Sequence, residues 1–199
     1  DNNKGEVKLR LVAGDLIECL LLDPNDELRI ALILKAGIKP FLLDDLTGDD
    51  SMLEKHRKLF GVYGVRAAIG IGELDIELAN KNIWKGEAIN ISGRLISEQK
   101  TSNKERVTIK NTLFFGSESE YQNAIFRPIL SLLDTIFTKM TRKQSEIILW
   151  KLIGCSEQDI AGEFGVSQSS VNQHSKNAGW ASMEEALYLF STFDFQHSK

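Results

Sequence analysis

A short polar stretch near the C-terminal end of the chain carries side chains that could read nucleic-acid bases. A helix expected over about 168–177 leaves amide, hydroxyl and ammonium groups on its outward face. Asn and Gln side chains form paired hydrogen bonds with adenine, while Lys and Ser suit phosphates or base edges. The outward-facing residues are Gln168, Ser169, Asn172, Gln173 and Lys176. This composition predicts a surface that contacts DNA.

Three short helices are expected to position this surface, over about 141–152, 156–164 and 168–177. Ser156 with Asp159 predicts a capping box at the start of the second helix. A helix-turn-helix needs a small residue at the helix crossing, a glycine in the turn and a branched apolar residue on the next helix. The residues at the required spacing are Ala161, Gly165 and Val171. The remaining inward positions are assigned to Ile160, Phe164 and Val166.

This segment resembles the helix-turn-helix of LuxR-type regulators and of sigma-factor region 4. The matching phrases are Thr141–Ile147, Asp159–Ala161 and Phe164–His174. The resemblance implies DNA binding through the third helix. His174 matches a histidine that is common in the LuxR kind, and its structural explanation is a packing residue whose polar edge faces outward.

A helical module that uses the same packing for protein contacts is the alternative. Residues 141–180 hold four basic and four acidic side chains, whereas a DNA reader usually has a basic surface. A homodimer that engages two half-sites would supply the affinity that a neutral surface lacks.

The N-terminal part contains a Gly-Asp hairpin over 11–16 and a helical phrase over 82–95. These two segments resemble parts of class III nucleotide cyclases and, more loosely, of diguanylate cyclases. The resemblance implies that Asp15 would place a carboxylate on a metal ion. It also implies that Asn90 and Arg94, one helical turn apart, would face the ribose and phosphates of a nucleotide.

Catalysis by this nucleotide site needs more than these three residues. Two-metal phosphoryl chemistry requires a second carboxylate, which normally lies on the first strand of the fold. The 199 residues contain no Phe-x-Asp-Ile-type segment that would supply it. We therefore expect no catalytic residues and a domain that senses a nucleotide or another small effector, or mediates dimerisation. A nucleotide-binding or cyclase-like enzyme is the alternative function. Structural explanations are also open, because Gly-Asp is common in turns and Arg94 could pair with Glu98.

Most of the chain, over residues 11–180, resembles the SatD-like family of small bacterial proteins. The matching phrases are Gly14-Asp15, Asp23-Pro24, Ala31–Ala36, Arg66–Glu73, Gly86–Ala88 and Gly165–Val171. The resemblance implies a cyclase-like α/β domain followed by a helix-turn-helix. Family members begin with a strand that carries another Gly-Asp-Ile phrase, so we expect the given sequence to lack an N-terminal part of the fold.

The predicted elements give an α+β fold with a ferredoxin-like, nucleotide-cyclase-like N-terminal domain and an all-α C-terminal domain. The expected strands lie over 7–22 (two strands), 65–72 and 106–115, and the expected helices over 24–38, 52–59, 86–98 and 118–139. Pro128 either kinks the last of these helices or marks its start. The predicted domains are 1–116 and 141–199, with a connecting helix over 117–140.

Composition excludes several classes of function. The net charge of −4 weighs against binding polyanions by bulk charge. Cys19 and Cys155 are expected to be reduced thiols, and three histidines without zinc-type spacing predict no metal site. Because no signal peptide and no apolar run of about 20 residues is found, we expect a cytoplasmic protein that has no membrane contact and needs no cofactor.

Overall fold

The computed structural model describes residues 7–12, 16–40, 59–81, 83–98 and 111–196. The strands are β1 (Val7–Val12), β2 (Leu16–Leu21), β3 (Ala67–Ile71) and β4 (Leu113–Ser117). The helices are α1 (Glu27–Ile38), α2 (Ile76–Asn80), α3 (Glu87–Glu98), α4 (Glu120–Lys139), α5 (Arg142–Leu152), α6 (Glu157–Phe164), α7 (Gln168–Asn177) and α8 (Trp180–Thr192). The α+β class is therefore confirmed.

The described strands form two separate pairs. β1 and β2 make an antiparallel hairpin, and β3 and β4 are parallel neighbours. Helix α3 lies between β3 and β4 in the chain and packs on both strands. Gly70 permits this close packing, because a Cβ atom there would lie 2.3 Å from the carbonyl oxygen of Ala88. The ferredoxin-like arrangement of a single sheet stays a prediction.

One hydrophobic core runs through the α/β part and the C-terminal helices. Phe126 of α4 lies at its centre. The ring centroids of Phe115, Phe190 and Phe193 lie 5.1, 4.9 and 5.0 Å from that of Phe126. The cluster also takes residues from α1, β3, α5 and α8. The predicted boundary at 117 therefore marks the change from strand to helix, the one at 141 lies between α4 and α5, and the core packs across both.

A buried ion pair connects α1, α4 and the start of β4. Lys35 and Asp134 are each 2% exposed, and the Lys35 Nζ lies 3.2 Å from the Asp134 Oδ1. The backbone N–H and hydroxyl of Thr112 donate to the two carboxylate oxygens of Asp134 at 2.5 and 2.6 Å, and Lys35 Nζ donates to the Thr112 hydroxyl. Burial lowers the pKa of Lys35, and the Asp134 carboxylate opposes this shift.

A second lysine of the same region, Lys39, is also buried. Its ammonium donates to the carbonyl oxygens of Val62 and Phe137. Burial, together with repulsion from Lys35, lowers the pKa of Lys39 to about 8. Lys35 of α1 and Lys39, which directly follows α1, therefore place two ammonium groups inside the protein.

Several predicted boundaries need correction. Pro128 does not mark the start of α4, because that helix begins at Glu120 after the capping side chain of Ser119 and contains the proline. The last strand runs from Leu113 to Ser117 rather than ending at Phe115. Residues 41–58 and 101–110 lie outside the described residues. They include most of the helix predicted over 52–59 and the first half of the strand predicted over 106–115.

Candidate nucleic-acid interface

Side-chain caps begin all three helices that carry the predicted DNA-contacting surface. At the start of α6, the Ser156 hydroxyl accepts from the backbone N–H of Asp159, whose carboxylate accepts from the N–H of Ser156 in return. Thr141 and Gln144 make the same reciprocal pair at α5. Ser167 caps α7, as predicted. Each cap satisfies N–H groups that a helix start leaves without a partner.

The turn between α6 and α7 depends on Gly165. Its φ angle is +60°, the left-handed conformation that glycine adopts at low cost. The backbone N–H of Val166 then donates to the carbonyl oxygen of Ala161 at 3.0 Å, which closes the helix end. Both features agree with the turn predicted from the sequence.

A small apolar cluster holds α5, α6 and α7 together. Its buried members are Ile147, Ile160, Ala161 and Val171, and Phe164 and Trp150 pack against it. Val166 was predicted to point inward, but this prediction is wrong: its side chain is exposed. Val166 lies in the turn itself, beyond the helix faces that pack together.

Four of the five predicted DNA-contacting side chains are exposed on α7: Gln168, Ser169, Gln173 and Lys176. The fifth, Asn172, is half-buried, and its amide donates to the Glu157 carboxylate at 3.1 Å. A base would therefore have to compete with Glu157 for this amide. No acidic residue occurs between Gln168 and Asn177, so the outward face of α7 offers only neutral polar and basic groups.

Glu157 is a residue that the sequence pattern missed. The Lys151 ammonium donates to its carboxylate at 2.9 Å, and this hydrogen bond lowers the pKa of Glu157. The carboxylate therefore stays ionised and positions Asn172. Asn172 lies 15 residues further along the chain, and only the packing of α6 against α7 brings the two together.

The basic side chains around this surface are largely engaged. Arg142 pairs with Glu146, and Lys151 with Glu157. The Lys143 ammonium lies 3.6 Å from the centre of the Phe164 ring. Lys176 is the charged side chain that the outward face of α7 itself presents. Because most of these cations are engaged, the groups that the outward face of α7 presents are mainly neutral hydrogen-bond donors and acceptors.

The residues predicted to bind a nucleotide lie on α3 or outside the described residues. Asn90 and Arg94 are exposed on α3, as the one-turn spacing predicts. The Arg94 guanidinium pairs with Glu87 at 3.3 Å, seven residues earlier, whereas the side chain of Glu98 lies outside the described part. Asp15 also lies outside it, so its position relative to Asn90 is not described.

A cleft of about 820 Å³ lies at the carboxyl ends of β3 and β4, where open α/β sheets usually bind ligands. Four of its lining residues are glutamates: Glu27, Glu73, Glu118 and Glu120. Among the described residues, no Lys, Arg or His lines it, and neither Asn90 nor Arg94 does. Burial raises the pKa of Glu27 well above its usual range. The other three glutamates bring carboxylates that repel phosphates, so this cleft does not support the nucleotide hypothesis.

No family model, no curated protein and no solved structure matches this chain at a significant level. Across the described ranges, no helix is long and apolar enough to span a membrane. The same part of the chain contains no group of three or more His, Cys, Asp or Glu side chains that could hold a metal ion.

Proposed function

We propose that this protein is a DNA-binding transcriptional regulator that reads bases with α7 of a helix-turn-helix formed by α6 and α7. The observation that carries this proposal is the outward face of α7, which combines exposed amide, hydroxyl and ammonium groups with the absence of acidic residues. Gln and Asn amides recognise adenine edges in the major groove. The resemblance of this segment to the helix-turn-helix of LuxR-type regulators and sigma-factor region 4 supports the same function.

The packing behind α7 also supports the proposal. A recognition helix must be held rigidly, because base contacts depend on its orientation in the groove. The caps at Ser156 and Ser167, the left-handed Gly165 and the buried Val171 provide this rigidity. In this proposal, the α/β part is a sensing or dimerisation domain without catalytic activity.

The proposal is tested with a variant that carries alanine at Gln168, Asn172, Gln173 and Lys176. We expect its affinity for genomic DNA fragments selected by the wild-type chain to fall at least about 100-fold, since each lost base contact costs about 1–3 kcal/mol. Fluorescence anisotropy with labelled fragments gives the dissociation constants. Circular dichroism checks that the variant keeps its helical content.

Lys85→Ala is the matched control, because it removes an exposed lysine from the α/β part of the chain. It should leave DNA affinity unchanged. The single variant Lys176→Ala should lower the salt dependence of the DNA affinity by an amount that corresponds to about one phosphate contact. Retained DNA binding by the folded four-residue variant would contradict the proposal. A wild-type chain that selects no DNA would favour the alternative of a protein-docking module. A pull-down in competition with DNA would then examine that alternative.

The alternative of a nucleotide-binding enzyme makes a separate prediction. We expect titration with ATP in the presence of Mg²⁺ or Mn²⁺ to give no heat above dilution, because the cleft is lined by carboxylates and Arg94 is paired with Glu87. Isothermal titration calorimetry measures this directly. Saturable heat that disappears in the Arg94→Ala variant would revive the nucleotide hypothesis around Asp15, Asn90 and Arg94.

A further inference from the structure

The β1–β2 hairpin has one face made entirely of apolar side chains. The register pairs Val7 with Leu21, Leu9 with Cys19 and Leu11 with Ile17, and residues that face each other across an antiparallel pair share one side of the sheet. This apolar hairpin face therefore consists of Val7, Leu9, Leu11, Ile17, Cys19 and Leu21. It contains no charged residue.

The opposite face of the hairpin is the one that packs on the protein. Leu20 is buried there in a cluster with Trp84. The Arg10 guanidinium lies 4.4 Å from the centre of the Trp84 ring and is paired with Glu18. The usual pattern of a two-sided sheet is thus reversed, since its charged pair faces inward and its apolar side faces outward.

Exposure on the apolar hairpin face is large. Leu11 is 69% exposed, Leu9 61% and Ile17 50%. With Val7, these side chains present on the order of 400 Å² of apolar surface, which is the size of patch that marks an interaction site on a monomer. Burial raises the pKa of the Cys19 thiol to about 11, so this side chain is also uncharged at neutral pH.

We infer that the apolar hairpin face binds the same face of a second copy of this chain, giving a two-fold symmetric dimer. A two-fold interface requires a surface that is complementary to itself, and an uncharged apolar face meets its own copy without repulsion. Two such faces would together bury on the order of 1,000 Å² of surface, which is the lower limit for a specific interface. This area includes the half-buried Cys19 and Leu21 and the adjoining backbone. The dimer is therefore of modest, concentration-dependent affinity. This inference does not depend on DNA binding.

Leu11→Glu tests the dimer, because it places a charge in the interface while changing a side chain that is exposed in the monomer. We expect the wild-type chain to approach twice the monomer mass at high micromolar concentration in light scattering and analytical ultracentrifugation. The dissociation constant of Leu11→Glu should be at least about 100-fold higher. Leu9→Glu provides a second variant on the same face, and circular dichroism checks the fold of both.

Leu132→Glu is the matched control, since Leu132 of α4 is 67% exposed and lies outside the hairpin. It should dimerise like the wild-type chain, and so should the four-residue variant of α7. A wild-type chain that stays monomeric at high concentration overturns the inference, as does a control that dissociates equally. If the chain is monomeric, the rate of thiol labelling of Leu11→Cys separates two explanations. Slow labelling would show that a segment of the same chain covers the apolar hairpin face, and fast labelling would show that this face is open.

Discussion

Alanine at Asp134 is expected to destabilise the fold by about 3–5 kcal/mol, which is the usual cost of removing one partner of a buried ion pair. Asp134 accepts hydrogen bonds from Thr112 and faces the Lys35 ammonium, and all three residues are at most 2% exposed. The variant leaves Lys35 as a buried charge without its carboxylate. Urea denaturation followed by circular dichroism gives the free energy of unfolding.

Two further variants separate the ion pair from general effects of substitution in α4. Thr135→Ala changes an exposed neighbour, so it should cost less than about 0.5 kcal/mol. The double variant Lys35→Met with Asp134→Leu removes both charges, so it should be more stable than Asp134→Ala alone. A loss of less than about 1 kcal/mol for Asp134→Ala would show that the pair does not hold α1 against α4.

Phe126→Ala is expected to destabilise the α/β part and the C-terminal helices together, by about 3–5 kcal/mol. The Phe126 ring is fully buried and contacts Phe115 of β4, Phe190 of α8 and the Phe193 and Phe195 rings that follow α8. Its loss leaves a cavity between the two parts. If the core is one cooperative unit, both parts should unfold in a single transition at lower denaturant concentration.

Tryptophan fluorescence can follow the two parts separately. Trp84 lies in the α/β part, and Trp150 packs against the small cluster of α5, α6 and α7. Variants that retain only one of these tryptophans should show coincident transitions, and Phe126→Ala should shift both equally. Phe126→Leu serves as the control, because it retains most of the volume and should cost less than about 1.5 kcal/mol. A shift seen by only one tryptophan would show that the predicted domains unfold independently.

The features that the sequence predicted correctly are local ones. The hairpin, the caps at Ser156 and Ser167 and the left-handed Gly165 each depend on residues within a few positions of one another. Cap and turn preferences are properties of short segments, so they survive in the folded chain. The exposure of Asn90, Gln168 and Gln173 follows in the same way from the helical period.

The features that the sequence did not predict are contacts between residues far apart in the chain, or ion pairs with a partner other than the expected one. Asp134 follows Lys35 by 99 positions, and a lysine in an amphipathic pattern is expected on the solvent side. Arg94 pairs with Glu87, two helical turns away, and Asn172 is bound by Glu157 from another helix. The contacts of Lys35 with Asp134 and of Asn172 with Glu157 leave no periodic signal in the chain.

The sequence by itself determined most of the helices and strands, where most of them begin and end, and which polar groups α7 presents on its outward face. These depend on backbone preference and on the period of each element, which act over a few residues. Only the tertiary structure decided that one core unites the two parts, that carboxylates line the cleft at the strand ends, and that the hairpin faces outward with its apolar side. These three features depend on which faces of helices and strands pack together, and packing between segments that are distant in the chain decides this.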